Sequence, residues 1–393
     1  MTEMFLSEFI DFNPTVRLPK GTVASFVPMD SVIPWHRDVV AAESKPYTGG
    51  TKFLDGDVLL ARITPSLENG KTSIYRAAES ARTEPAFGST EFIVARGIEG
   101  ISDTEYIYYL LRTDQIRSVA IASMTGSSGR QRVQLDALES TLWDLPDLVE
   151  QQQIAKTLGA LDDKIESNNK KHEKIESLVG HLFMKLIDEG QEANRMGTLG
   201  ELGEIVAGST PRRSNSEYWT TKGIAWITPK DLSVQGLKFI SHGANDITDL
   251  GYASTSTRLI PSGSVLFSSR APIGYTAVAL NQLCTNQGFK SIVPNENIGT
   301  AFTYCTLKLL TPTIEKYAGG STFKEISASA MRGIACVIPS LDLIKNFDSR
   351  AKALFDLQAS LERQNAILAS LRDALLPELM SGRIRVRAVE VSG

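Results

Sequence analysis

Apolar positions set the rhythm of this chain in two places. From Ile154 the sequence presents Leu158, Leu161, Ile165, Asn168, His172, Ile175, Val179, Leu182 and Leu186 at alternating steps of four and three. Sustained over four heptads, that spacing lines one helix face and predicts an interhelical seam. Near the other end Phe347, Leu354, Leu357, Leu361, Gln364, Leu368, Leu371 and Leu375 keep the same rhythm. Each seam turns polar near its middle, at Asn168 and His172 in the first and at Gln364 in the second. The two seams most simply pair with each other, antiparallel, and the central polar residues then fix register at some cost in stability. Pro377 and Gly382 read as the stop of the second helix.

Elsewhere the period shortens. "FLDGDVLLARI", "STEFIVARGI", "RLIPSGSVLFSS" and "FKSIVPN" are apolar or alternating runs punctuated by Gly, Pro and Asn, and predict strands. "DTEYIYYLLRTDQIRSVAI" and "NIGTAFTYCTLKLLTPTIEKYA" have helical spacing. The expected class is α+β: a mixed α/β domain over 1–146, a spacer helix over 147–190, a second mixed domain over 191–340, and a second helix with a tail over 341–393.

The design is duplicated. At an offset of 193 residues, 124–187 lies on 317–380 without a gap, and thirteen of 64 pairs are identical. The identities fall on positions with structural jobs: Gly126 on Gly319, Pro146 on Pro339, Leu161 on Leu354, Leu182 on Leu375. A second match, at another offset, sets "LDGDVLLARITP" on "IPSGSVLFSSRAP". Loops of different length therefore separate the matched blocks, and the chain reads as two copies of one unit, a domain followed by a helix, with pseudo-two-fold symmetry expected.

Composition changes this picture little. The chain is 42% hydrophobic and 22% charged, with no run apolar enough for a membrane span. Its N-terminus has acidic residues where a signal peptide is basic, and three cysteines suit a reducing compartment, so a cytoplasmic protein is expected. Net charge is −4 but uneven: −5 over 1–146, −3 over 147–190, +3 over 191–340 and +1 over 341–393. Phosphate neutralisation supplies most non-specific DNA affinity, so unaided DNA binding by such a chain should be weak and salt-sensitive.

Catalytic patterns fail where they are tried. "NGKTS" lacks the first glycine of a phosphate-binding loop, since Pro65 stands there, and "FNPT" lacks the second proline and the aromatic of an amino-methyltransferase loop. Asp30, Glu43 and Lys45 after Pro28 can be strung into a nuclease-like pattern, a combination common by chance. The four histidines are scattered, and no metal site is expected.

Recognition chemistry is present. "GSTPRRSNSEYWTTKGIAWITPKDL" brings Thr210, Arg212, Arg213 and Lys230 together with Trp219 and Trp226. Its hydroxyls, amides and guanidinium groups suit phosphates and base edges, whereas the tryptophans suit packing. Strand ends supply Ser269, Arg270, Asn286, Gln287 and Lys290 in the second copy, and Arg62, Thr64, Asn69 and Lys71 in the first. The glycine-serine loops bring Ser127, Ser128, Arg130 and Arg132 in one copy and Ser321, Thr322 and Lys324 in the other. Both loops read either as phosphate-binding backbone or as tight turns needing glycine.

In combination, "GSTPRRSNSEYWTTKGIAWITPKDL", "TNQGF", "LPDLVEQQQIAKTLGALDDKIESNN" and "LRDALLPELMSGRI" resemble the specificity subunit of type I restriction-modification systems, over essentially the whole length. The first domain departs from the pattern, lacking "TP…W" and "NQGF". The resemblance implies two target recognition domains, each reading half of a bipartite double-stranded DNA site, and two helices that set the gap and dock partners. It implies no catalysis and no cofactor in this chain. Two modification subunits would bring S-adenosylmethionine and methylate adenine, and two restriction subunits would bring ATP, Mg and cleavage. The rival readings are an adaptor whose helices bind a partner without DNA, and a self-contained methyltransferase or nuclease.

Overall fold

The computed structural model of the chain describes residues 2–189, 194–320 and 324–386. Five helices matter below: α1 (Thr104–Leu111), α2 (Asp114–Ala122), α3 (Leu148–Glu189), α4 (Thr300–Tyr317) and α5 (Leu341–Met380). Two units divide the chain. One runs up to Glu166 and resumes at Asn365; the other is Ser167–Gln364. Both long helices therefore contribute to each.

In the first unit a five-stranded sheet has the order Ile10–Phe12, Phe92–Gly97, Val58–Ala61, Thr72–Tyr75, Asp38–Val39. Its pairs are antiparallel except the last. A four-stranded sheet, Glu43–Pro46, Val23–Val27, Ala86–Gly88, Thr51–Phe53, covers one face. All four residues of Val58–Ala61 are buried because both faces of the strand are covered. Val58 and Leu60 point into a core with Tyr106, Ile107 and Leu110 of α1. Leu59 faces the opposite way, towards Val27 and Phe53 of the smaller sheet. That alternation is the strand period acting on two cores at once.

The second unit repeats this plan. Its five strands run Gly203–Ala207, Lys290–Pro294, Val265–Ser269, Ile273–Ala279, Phe239–Ile240, again antiparallel except the last pair. Four short strands form the second sheet. Val265 and Phe267 join Phe302 of α4 in one core, and Leu266 joins Ile227 and Phe289 in the other. A two-stranded sheet closes each unit, Thr2–Phe5 with Leu142–Leu145 and Arg195–Thr198 with Ala335–Ile338. The expected duplication is thus present strand for strand in the larger sheet, whereas in the smaller one the fourth strand flanks Ala86–Gly88 in the first unit and Asn245–Ile247 in the second. One difference stands out: the continuous α4 of the second unit is matched by two helices in the first, broken at Arg112 and Thr113.

α3 and α5 run antiparallel within each unit. In the first, Arg372 Nη1 donates to Asp162 at 2.6 Å. In the second, His172 lies 3.0 Å from Glu362, Gln358 Nε2 donates to Glu176 at 3.2 Å, and the Phe183 and Phe347 rings are 5.9 Å apart. The sides that meet are broader and more polar than the apolar rhythm predicts. Ile154, Leu158 and Leu361 are buried, while Leu161, Ile165, Ile175, Leu182, Leu354, Leu368 and Leu375 are half-buried. Leu357 and Leu371 stand about half exposed, while Gln358, Arg372, Asp162 and Asn168 are buried. The cause is a third neighbour. Phe355 packs on Phe239 and Tyr304 of its own globular domain, so the covered stripe widens beyond a two-helix seam. The central polar pairing does occur, Asn168 Nδ2 reaching Gln364 Oε1 at 3.5 Å. Pro377 does not stop α5, which continues to Met380 and ends at Gly382 in a left-handed conformation.

Candidate nucleic-acid interface

The candidate residues gather in each unit where the central strand of the larger sheet runs out. In the first unit the segment Thr125–Arg132 is a small hairpin, closed by backbone bonds of 3.1 and 2.9 Å between those two residues. Gly126 and Gly129 have positive φ, 130° and 77°, so the turn itself requires glycine. Thr64 anchors the hairpin: its N–H donates to Gln131 O and its buried hydroxyl accepts from Gln131 N, each at 3.0 Å. Ser127, Ser128 and Arg130 project from the turn, exposed. Arg132 makes a bidentate pair with Glu91, at 2.9 and 2.6 Å, and the guanidinium holds that carboxyl below the usual glutamate range. Arg62 is half-buried beside it, Asn69 is exposed, and Lys71 donates to Met29 O at 2.9 Å.

The second unit builds the same hairpin. Gly319 and Glu325 close it with bonds of 3.1 and 2.9 Å, and Ile326 N–H reaches Ser269 O at 3.1 Å. Lys324 is exposed; Ser321 and Thr322 lie outside the described residues. Glu325 accepts from Arg270 and from Lys290, each at 3.2 Å, and Ser269 is fully buried beneath them. Next to this stands the loop after Gly203–Ala207. Thr210 bonds to the Gln287 side chain, and Asn286 accepts from Gly288 N–H at 2.9 Å. Trp226 is buried and donates to Ser209 O at 3.0 Å, with Trp219 edge-on at 4.9 Å. The tryptophans therefore pack, and the Arg213 guanidinium lies 5.4 and 5.8 Å from their ring centroids. Arg212 and Lys230 are exposed and, like Arg130 and Lys324, have no ion-pair partner among the described residues.

The structure thus separates the candidate cations into two groups. Arg132, Arg270 and Lys290 are tied to carboxylates and shape the loops. Arg130, Arg212, Arg213, Lys230 and Lys324 remain available to a polyanion. Sequence reasoning missed the organising acids, Glu91 and Glu325. One signal was visible: at the 193-residue offset Arg132 falls on Glu325, a reversal of charge at a matched position. It also missed how each domain is fastened to its helix. Arg37 precedes the parallel edge strand of the first unit and donates to Gly159 O and Asp163 of α3, at 3.2 and 2.6 Å. At the matched place in the second unit Lys238 reaches Glu176 at 2.6 Å and Gln358 at 2.8 Å.

Two stretches of the chain, 40–177 and 192–371, match the model of the type I restriction modification DNA specificity domain. The chain belongs to that family. It is a specificity subunit with two recognition domains. Among its relatives, the specificity subunit of the type I restriction enzyme MjaIX from Methanocaldococcus jannaschii is 37% identical over 175 residues, 44% of this chain and 40% of that protein. The HindI specificity subunit from Haemophilus influenzae is 23% identical over 89% of this chain and 91% of its own length. The fold is that of the type I restriction-modification S subunit from M. genitalium, with a TM-score of 0.58 at 16% identity, covering 96% of this chain and 95% of that one. No helix among the described residues is long and apolar enough to cross a membrane.

Proposed function

We propose that this specificity subunit selects DNA for a type I restriction-modification complex, each recognition domain reading one half of a bipartite double-stranded site. The observation that carries the reading is the repeated hairpin. In both units it sits on the end of the central strand and carries one exposed cation with no ion-pair partner among the described residues, Arg130 or Lys324. Paired loops of this kind suit phosphate contact, while Arg212, Arg213 and the neighbouring amides and hydroxyls suit base edges. Five such cations, Lys230 included, on a chain of net charge −4 supply modest affinity, so partner subunits bring the rest.

On this reading the chain catalyses nothing and carries no cofactor. Two modification subunits dock on the paired helices and bring S-adenosylmethionine; two restriction subunits bring ATP and Mg. The helices set the gap between the half-sites, and the complex works in the cytoplasm. Selection of the chain with its modification partner from a randomised duplex pool tests this. Enrichment of two short sequences at a fixed gap is expected. Enrichment of nothing, with the partner bound, favours an adaptor role instead.

A further inference from the structure

The turn ahead of the Asp38–Val39 strand holds Trp35 at φ +66°, a left-handed backbone that a bulky aromatic residue adopts only at a cost. At the matched place in the second unit, three residues ahead of Phe239–Ile240, Gly236 has φ +63°, where no such cost arises. The first unit thus keeps an indole where glycine is the relaxed choice. The ring lies against the α-carbon of Gly70, and a Cβ added there would come within 2.4 Å of it. Two guanidinium groups flank the ring, Arg117 at 4.7 Å and Arg112 at 5.6 Å from its centroid.

Both arginines are buried, 8% and 5% exposed, and neither has a carboxylate within ion-pair distance among the described residues. Arg117 is at least satisfied by carbonyls, donating to Leu67 O and Glu68 O at 3.1 Å each. Arg112 donates Nη1 to the Tyr108 hydroxyl at 2.6 Å, and its buried Nε has no partner. A buried cation without counter-charge is costly, and a bound anion removes that cost.

Arg112 lines a cavity of about 420 Å³, within the size range of small-ligand sites. The first turn of α2 opens onto it. Thr113 caps Ile116 N–H there, and the N–H groups of Asp114 and Gln115 have no backbone acceptor among the described residues. A helix start of this kind favours an anion. The remaining wall is apolar over Trp35, Trp143, Leu376, Pro377 and Met380, with Asp373, Ser381 and Arg383, itself paired to Glu378, completing it. In the second unit the unbroken α4 offers no such helix start.

We propose that this cavity binds an organic monoanion, a carboxylate on an apolar or aromatic body. The carboxylate lies between Arg112 and the start of α2, and the body lies against Trp143 and Met380. Asp114 and Asp373 at the rim oppose a doubly charged ligand. Only one of the two repeated units builds the site, so it serves something needed once per chain. The inference is independent of the DNA-reading role, and its test contains no DNA.

The test is calorimetric titration of the full chain with phenylacetate, with its neutral analogue phenylacetamide, and with N-acetyl-Leu-Phe bearing a free carboxylate. Saturable binding of an acid is expected, weakened about tenfold or more for the amide and in Arg112→Met. Filling the cavity from its exposed side with Ser381→Phe should weaken it similarly. If Arg112→Met fails to fold, the acid–amide comparison on the unaltered chain and the Ser381→Phe variant decide. Tighter binding of the peptide assigns the anion to a protein terminus, and binding of phenylacetate alone assigns it to a free acid; either supports the site. Equal affinity for acid and amide, full retention in Ser381→Phe, or no binding up to about 20 mM overturns it.

Discussion

Arg132 and Glu325 occupy one position in two copies of a hairpin and carry opposite charges. Each is bridged to the end of its central strand, at Ile63 and Arg270 respectively. Arg132 takes a carboxylate, Glu91; Glu325 takes two cations, Arg270 and Lys290. The ionic tie is kept while its polarity is inverted, which indicates that the hairpin's placement matters more than the charge that achieves it.

Breaking the tie should therefore affect one half-site at a time. Arg132→Glu is expected to abolish selection of the first half-sequence and leave the second intact, and Glu91→Arg in the same chain should restore it in part. Glu91 is held below the ordinary value of 4.5, so its folded form is favoured fully above that value and the contribution disappears as pH falls through the lowered one. Relative to its intrinsic chemical rate, amide exchange of residues 125–132 should rise in that acid window and be unchanged between pH 6 and 8 in the wild type. A rise that persists in Arg132→Gln would detach the effect from this pair.

Lys238 fastens the second domain to its helices. Its ammonium lies 3.6 Å from the Phe355 ring centroid and 2.6 Å from Glu176. Burial lowers its pKa, while the Glu176 carboxyl, despite its own burial, is held low by Lys238. Lys238→Ala should cost about 2–3 kcal/mol, less than a fully buried broken pair because Glu176 is 38% exposed. Lys238→Met, with Glu176→Gln, should recover most of it. Urea midpoints of the variants check both.

Gly299 and Asp348 are complementary. Asp348 of α5 accepts from Ala301 N–H at 2.7 Å and Phe302 N–H at 3.3 Å, capping α4, and a Cβ on Gly299 would sit 2.1 Å from its carboxyl carbon. Asp348→Ala should destabilise by about 1–2 kcal/mol as a lost cap. Gly299→Ala should cost more, since it combines that loss with a backbone at φ +80°. Thermal unfolding distinguishes the order.

The exposed cations should contribute to DNA affinity without sequence preference. In the complex with the modification partner, Arg130→Ala or Lys324→Ala should each reduce the slope of log K against log salt by about one. Arg270→Ala should act through loop structure and leave no such clean decrement.

Much of this was legible in the chain. Val58–Ala61 and Val265–Ser269 announced themselves because strands buried on both faces carry continuous apolar runs, over all of the first and over Val265–Phe267 before the two buried serines of the second. The long helices showed because their covered stripe is mostly leucine and isoleucine. What stayed hidden was polar and non-local. Gln358 and Arg372 look like surface residues until the domain that covers them is in place. The break at Arg112 and Thr113 lies inside a helical pattern that continues on both sides. Lys238 gains its meaning only from Glu176 and Phe355, 62 and 117 positions away. At the interface, residue types were readable, but which cations were already engaged depended on acids brought from other strands.

The most direct test of the central claim is a genome-wide map of methylated adenine in the native host, with and without this gene. The account predicts the loss of one bipartite motif, two short sequences separated by a fixed gap, and its return on complementation. An unchanged map in a strain that expresses both this chain and its modification partner would contradict it.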